Sequence, residues 1–282
     1  PRLIEALNAA PKGLFQLEIG IQTTNPDSLR AVNRKCDLER TRENILRLIK
    51  PGNIHVHLDL IAGLPFEDYE SFRRSFNYAY SMRPDMLQLG FLKVLPGTEI
   101  AETSGIRSTD FPPYEVVSTD WIDARSLASL KETEEALDLF YNGGAFKRTI
   151  EKLTDTEDPF GVFEELGGYL AKIQGNGKIK RAELYNKLYE KYLDDIKTEL
   201  ILDFLEFNRN IPLPPFAKRE IGKDFKKRYT EALKSEAFRE KYGIGDDLSV
   251  LRFERVDGSV ADAALGDVDD PADADGVVGV DQ

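Results

Sequence analysis

The 282 residues are 41% hydrophobic and 31% charged, a composition that reads as a soluble, globular chain large enough for one big domain or two ordinary ones. No apolar run reaches the roughly 18 residues of a membrane helix and no signal peptide opens the sequence, so the expectation is a cytoplasmic protein without membrane partners. The formal net charge is -12, but residues 257–282 hold eight aspartates and no lysine or arginine, leaving a body near -4 that makes nucleic-acid binding unlikely, while Cys36, the single cysteine, excludes both a disulfide framework and a thiolate cluster held by this chain alone.

Residues 2–7 read as a helix, and residues 14–22 as a strand with Leu17, Ile19 and Ile21 on one face and Glu18, Gly20 and Gln22 on the other. Asn25-Pro26 supplies an N-cap and a first-turn proline for a short helix to about Val32. A second helix spans 38–49, with Ile45, Leu48 and Ile49 on its buried stripe, and Pro51-Gly52 ends it. Residues 54–62 form the strand around which the chain is organised. Ile54, Val56, Leu58 and Leu60 make one purely aliphatic face; His55, His57, Asp59 and Ile61 make the other. Helices follow on both sides, so the aliphatic face packs against them and the mixed face looks inward. An inward carboxylate near a strand's end is costly unless something uses it, and in strand-helix barrels the C-terminal strand ends carry the active site.

Residues 67–82 are expected to be helical, with Phe72, Phe76 and Tyr80 spaced by four. Residues 85–94 form a third strand with apolar residues on both faces, left by the loop Leu95-Pro96-Gly97-Thr98. The alternation implies parallel strands with right-handed crossovers, too few to close a barrel. From about Asp120 the texture is helical: 123–141, a helix capped at Asp158-Pro159, then 181–192, 197–207 and 216–242. Residues 257–282, rich in Ala, Asp, Gly and Val and without aromatics, are expected to be disordered. The fold class is therefore α/β, a partial (βα) barrel with parallel strands followed by an α-helical accessory domain and an acidic tail. The expected domains are 1–120, 121–256 and the tail 257–282.

Four pieces in this order and spacing, Glu18-Ile19-Gly20-Ile21-Gln22, Val32-Asn33-Arg34, Asp59-Leu60-Ile61-Ala62-Gly63-Leu64-Pro65 and Leu95-Pro96-Gly97-Thr98, resemble the second half of the radical S-adenosylmethionine (SAM) barrel. The pattern is most like the cobalamin-binding-domain type, whose relatives include coproporphyrinogen dehydrogenases and methylthiotransferases. The resemblance covers residues 14–120 strongly and the helical remainder weakly, as the accessory domain that follows the barrel in some members. It implies that Gln22 and Asp59 contact the SAM ribose, that Arg34 offers its two-pronged donor to a carboxylate or hydroxyl, that Ile61 touches the adenine and that Lys93 acts through its backbone. Glu18 is a further candidate lining residue, and no catalytic residue is assigned. The family reduces SAM to a 5'-deoxyadenosyl radical with a 4Fe-4S cluster on a C-x-x-x-C-x-x-C loop, fed by a reductant such as flavodoxin or ferredoxin; some members also bind cobalamin through a separate domain.

The cysteine loop is missing here, so this chain supplies no metal ligands. Because Pro1 opens the chain and an interior-type strand opens the sheet, the expectation is a portion of a longer radical SAM enzyme, inactive by itself. The alternatives are a cluster-less, non-catalytic binding module or an RNA-modifying radical SAM relative. Structural readings stand beside the functional ones: Asp59 as a buried carboxylate paired with Arg34, His55 and His57 as buried structural residues, Cys36 as a small buried residue, and the basic cluster from Lys218 to Arg228 as a solvated helix face. The substrate is not legible.

Overall fold

The computed structural model describes residues 2–174, 179–208 and 212–217. The expected helix beyond Ala217, the basic cluster from Lys218 to Arg228 and the acidic tail lie outside the described residues. Those described fall into two compact units, one of residues 2–144 and 154–174, the other of residues 145–153, 179–208 and 212–217.

The first unit is mixed α/β. Its parallel sheet has the order β1-β2-β3, formed by Gln16–Gln22, His55–Ala62 and Met86–Phe91. Glu18 lies opposite His57, and Asp59 opposite both Gly20 and Gln88. The period-two pattern decides the faces: Val56, Leu58, Leu60 and Ala62 are completely buried, while His57, Asp59 and Ile61 between them are only half-buried. Leu87 and Leu89 settle the parity of β3, since both are buried and Gln88 is exposed.

The helix expected at the start of the chain is α1 (Arg2–Asn8), and the crossovers are helical too. After β1 come α2 (Pro26–Ala31), capped by Asn25, and α3 (Leu38–Ile49), which turns Ile45 and Leu48 inward and packs on β2. After β2 comes α4 (Tyr69–Tyr80). It begins two residues later than its periodicity suggests, because Asp68 is the N-cap and accepts from the Ser71 amide at 2.7 Å. Phe72, Phe76 and Tyr80 on α4 are fully buried against β2 and against α7 (Pro159–Gln174), whose Phe160 and Phe163 meet them at ring separations of 5.3 to 6.5 Å. Burying each such side chain stabilises by about 1.5 to 3 kcal/mol.

Two features escape the sequence reading. Past β3 the chain forms an antiparallel pair, β4 (Ile106–Ser108) and β5 (Val116–Thr119), in a stretch to which the sequence reading assigns no element. The helix expected over 123–141 is α5 (Ala124–Ala136), which then widens into a π-helical turn over Leu137–Asn142. That turn delivers Asn142 to the open edge of β3: its Oδ1 accepts from the Leu87 amide at 3.1 Å and its Nδ2 donates to the Leu87 carbonyl at 2.9 Å. One side chain thus does for β3 what another strand would do.

The second unit is helical. It contains α6 (Lys147–Leu153), which the sequence reading omits, together with α8 (Arg181–Tyr192) and α9 (Lys197–Phe207), both at their expected bounds. Phe146, Tyr185 and Phe204 form its aromatic centre, at ring separations of 4.4 and 5.0 Å. Asp203 of α9 is buried and caps α6 from outside, accepting from the Arg148 amide at 3.0 Å and from the Thr149 amide and hydroxyl, each at 2.8 Å.

Candidate functional site

At the C-terminal end of β1, Gln22 takes a left-handed backbone, φ 69°, and its side chain folds back over Gly20. A Cβ on Gly20 would collide with Gln22 Nε2 and lie 3.6 Å from Arg34 Nη2, so only glycine leaves room for this arrangement. Arg34 arrives from behind α2. Asn33, with φ 52°, reverses the chain, and the Arg34 amide donates to the Leu29 carbonyl at 2.8 Å. The Arg34 guanidinium then donates to the Gly20 carbonyl. Sequence positions 12 residues apart are thereby brought together over one strand end.

Gln22 and Arg34 form one wall of a cleft of about 510 Å³. Ile61 and Leu64, from the end of β2, and Leu92, just past β3, add apolar lining; Glu99 and Thr103, around the one-turn helix Glu99–Glu102, also line it. The loop after β2 is tightly built. Gly63 has φ 86°, and a Cβ there would meet Val116 Cγ1 at 2.7 Å. Gln22 Oε1 is buried without a hydrogen-bond partner among the described residues. A buried acceptor left empty costs about 1 to 3 kcal/mol.

Of the six residues singled out in the sequence, Gln22, Arg34 and Ile61 line this cleft. Asp59 stands one step further down β2 on the same inward face as Ile61, and Glu18 lies on the neighbouring strand. Burial pushes the Asp59 carboxyl above its ordinary range and the Glu18 charge adds to that, while His57 pulls the other way. Asp59 and Arg34 form no ion pair, so the structural pairing considered for them is not made. Lys93 is exposed and lies off the cleft wall; its backbone bridges to Glu115. His55 is exposed rather than buried, with Asp85 3.9 Å away, and His57 is half-buried, its ring 4.7 Å from that of His55. Cys36 is half-buried beside Thr41.

Two parts of this region go unflagged by the sequence reading. One is the wall carrying Glu99 and Thr103, in a segment to which the sequence reading assigns no element. The other is Glu67, just beyond the Gly63-Leu64-Pro65 turn and only 1% exposed. Thr23 Oγ1 donates to its Oε1 at 2.5 Å and Ser75 Oγ at 3.3 Å, whereas Oε2 has no partner among the described residues. Burial, incompletely offset by these two bonds, raises its carboxyl to about 7. The signal was available: an N-cap at Asp68 leaves Glu67 in the loop rather than on a helix surface.

A 4Fe-4S cluster does not fit this chain, which carries one thiol, and no group of three or more His, Cys, Asp or Glu among the described residues is placed to hold a metal ion. Among the described residues no helix is long and apolar enough to cross a membrane.

A strand-helix sheet with its cleft at the C-terminal strand ends is the architecture that the radical SAM resemblance implies, and comparison with known proteins bears that recognition out. The chain belongs to the family described as "Protein of unknown function (DUF4080)", whose model matches residues 102–246, about half of the sequence. Over 87 residues it is 31% identical to the probable threonylcarbamoyladenosine tRNA methylthiotransferase of Pyrococcus abyssi, covering 30% of this chain and 20% of that protein. It is 34% identical, also over 87 residues, to the ribosomal protein uS12 methylthiotransferase RimO of Heliobacterium modesticaldum, covering 30% of this chain and 19% of the relative. The chain thus spans about a fifth of the length of these relatives. Among solved structures, the coproporphyrinogen III oxidase HemN from Escherichia coli, described as a radical SAM enzyme, matches at 30% identity with a TM-score of 0.31, covering 33% of this chain and 21% of HemN.

Proposed function

We propose that this chain supplies the nucleoside-binding wall of a radical SAM enzyme, holding S-adenosylmethionine in the cleft at the ends of β1, β2 and β3. The observation that carries this reading is the buried, unpartnered Oε1 of Gln22 beside the Arg34 guanidinium on a cleft whose lining includes the apolar Ile61, Leu64 and Leu92. A ribose offers hydroxyl donors to the first and hydroxyl acceptors to the second, and a purine plane suits the third. Asp59, further down the inward face, adds a carboxylate acceptor. Bound together with a 4Fe-4S cluster, S-adenosylmethionine supplies radical chemistry by reductive cleavage. The thiolates for that cluster come from outside these 282 residues, as does any cobalamin site, so this chain's share of the work is to bind and orient the nucleoside and keep water from it. The radical SAM relatives support an enzyme as the parent; its substrate and reductant are not defined by these residues.

Titration of S-adenosylhomocysteine, which needs no cluster, into the 282-residue chain is expected to give saturable binding. Asp59→Asn is expected to weaken it about tenfold to a hundredfold, the worth of a charge-assisted hydrogen bond of roughly 1.5 to 3 kcal/mol, while leaving the melting temperature nearly unchanged. A large fall in melting temperature with unchanged affinity would give Asp59 a structural role instead.

A further inference from the structure

Strand order gives the cleft two polar sides and an aliphatic strip. Gln22 and Arg34 reach it from β1 and the turn behind α2, Ile61 and Leu64 from β2, and Glu99 and Thr103 from the segment after β3. In the sheet β2 lies between β1 and β3, so the two polar groups reach this one cleft from the segments that leave its two outer strands, with the aliphatic residues that follow β2 also in its lining. The two sides differ in what they ask of a ligand. The β1 side offers a guanidinium and an unfilled amide oxygen. The β3 side offers a carboxylate, an acceptor only, which joins no ion pair among the described residues. Thr103 donates from its hydroxyl to the Glu99 carbonyl at 3.3 Å, tying the short helix that carries this carboxylate.

Resting on the nucleoside reading above, we propose that Glu99 selects the base. With the ribose on the β1 side and the purine plane over Ile61 and Leu64, the far edge of the base meets Glu99, which accepts from an exocyclic amine and repels the carbonyl of a 6-oxo purine. The pocket therefore takes amine-bearing purine nucleosides and discriminates against their deaminated forms. Discrimination by one hydrogen bond to a carboxylate is worth about tenfold or more in affinity.

The test is calorimetric titration of S-adenosylhomocysteine and its 6-oxo counterpart, S-inosylhomocysteine, into the full chain and two variants. Glu99 is exposed, so truncating it spares the core. The parent is expected to favour the amine form by about tenfold or more. Glu99→Ala is expected to bind both forms within about twofold of each other, and Glu99→Gln, whose amide oxygen still accepts, to keep part of the preference. A parent that binds both forms alike, or a Glu99→Ala variant that keeps the preference or loses both ligands together, overturns the assignment while leaving the nucleoside pocket standing. A parent that binds neither form overturns the pocket reading and this one with it.

Discussion

Glu67 is held in a state that its neighbours do not neutralise. Its partners are two hydroxyls, the nearest charges are Asp68, which opposes ionisation, and Arg74, which favours it, and burial outweighs them all. A carboxyl raised from 4.5 to about 7 binds its proton more tightly folded than unfolded. The stability this confers is therefore fully present below about pH 4.5 and is lost progressively as pH rises through about 7. Glu67→Gln keeps the acceptor facing Thr23 and Ser75 but cannot ionise. It is expected to match the parent near pH 4 and to exceed it above about pH 8 by on the order of 3 kcal/mol. Urea unfolding of both proteins across that range checks this, and a variant whose stability declines with pH as steeply as the parent's would place the titration on another group. The same network reaches the cleft through Thr23, the residue after Gln22, so the buried acid also fixes where β1 ends.

At the scale of elements, the sheet is finished on its β3 side by a helix rather than by a strand. Asn142→Ala strands both the amide and the carbonyl of Leu87 and is expected to cost about 1 to 3 kcal/mol, read as a lower urea midpoint at unchanged slope. Asn142→Asp is expected to cost at least as much, because a carboxylate oxygen would then face the Leu87 carbonyl. A neutral Asn142→Ala would show that water replaces the side chain without loss. None of this was legible in the sequence, since nothing in residues 137–142 announces a wider turn or says which strand it meets. What could be read locally was read well. Aliphatic alternation gave β2 its buried face, Asn25-Pro26 started α2, and the spacing of Phe72, Phe76 and Tyr80 set the buried stripe of α4. The misses came where long-range partners decide. α6 is seven residues whose N-terminus is capped by Asp203, more than fifty positions away, and β4 and β5 are short strands whose pairing no periodicity reveals. Half of the candidate site was legible because strand ends and glycines mark it. The Glu99 wall was not, because a one-turn helix after a proline-glycine loop has no signature of its own.

At the scale of the molecule, two functions that radical SAM proteins join come apart in the reading proposed for this chain: a cleft proposed to hold a nucleoside, and a cluster for which this chain holds only Cys36. The single thiol is half-buried beside Thr41, and a cubane is held by several cysteine thiolates. Ligand binding and cluster assembly should therefore dissociate in this chain. Anaerobic reconstitution with iron and sulfide, followed by gel filtration, is expected to leave well under one cluster per chain by iron analysis and no persistent thiolate-to-iron absorbance. The same preparation should bind S-adenosylhomocysteine as well as an untreated one does. A stoichiometric cluster surviving gel filtration would mean that copies pool their Cys36 thiolates or that oxygen and nitrogen ligands replace sulfur. Repeating the reconstitution on Cys36→Ser separates these outcomes, since pooled thiolates vanish with the cysteine and other ligands do not. Either result would sink the claim that the cluster must come from outside these residues, while the cleft, which uses no sulfur, would stand or fall on its own titration.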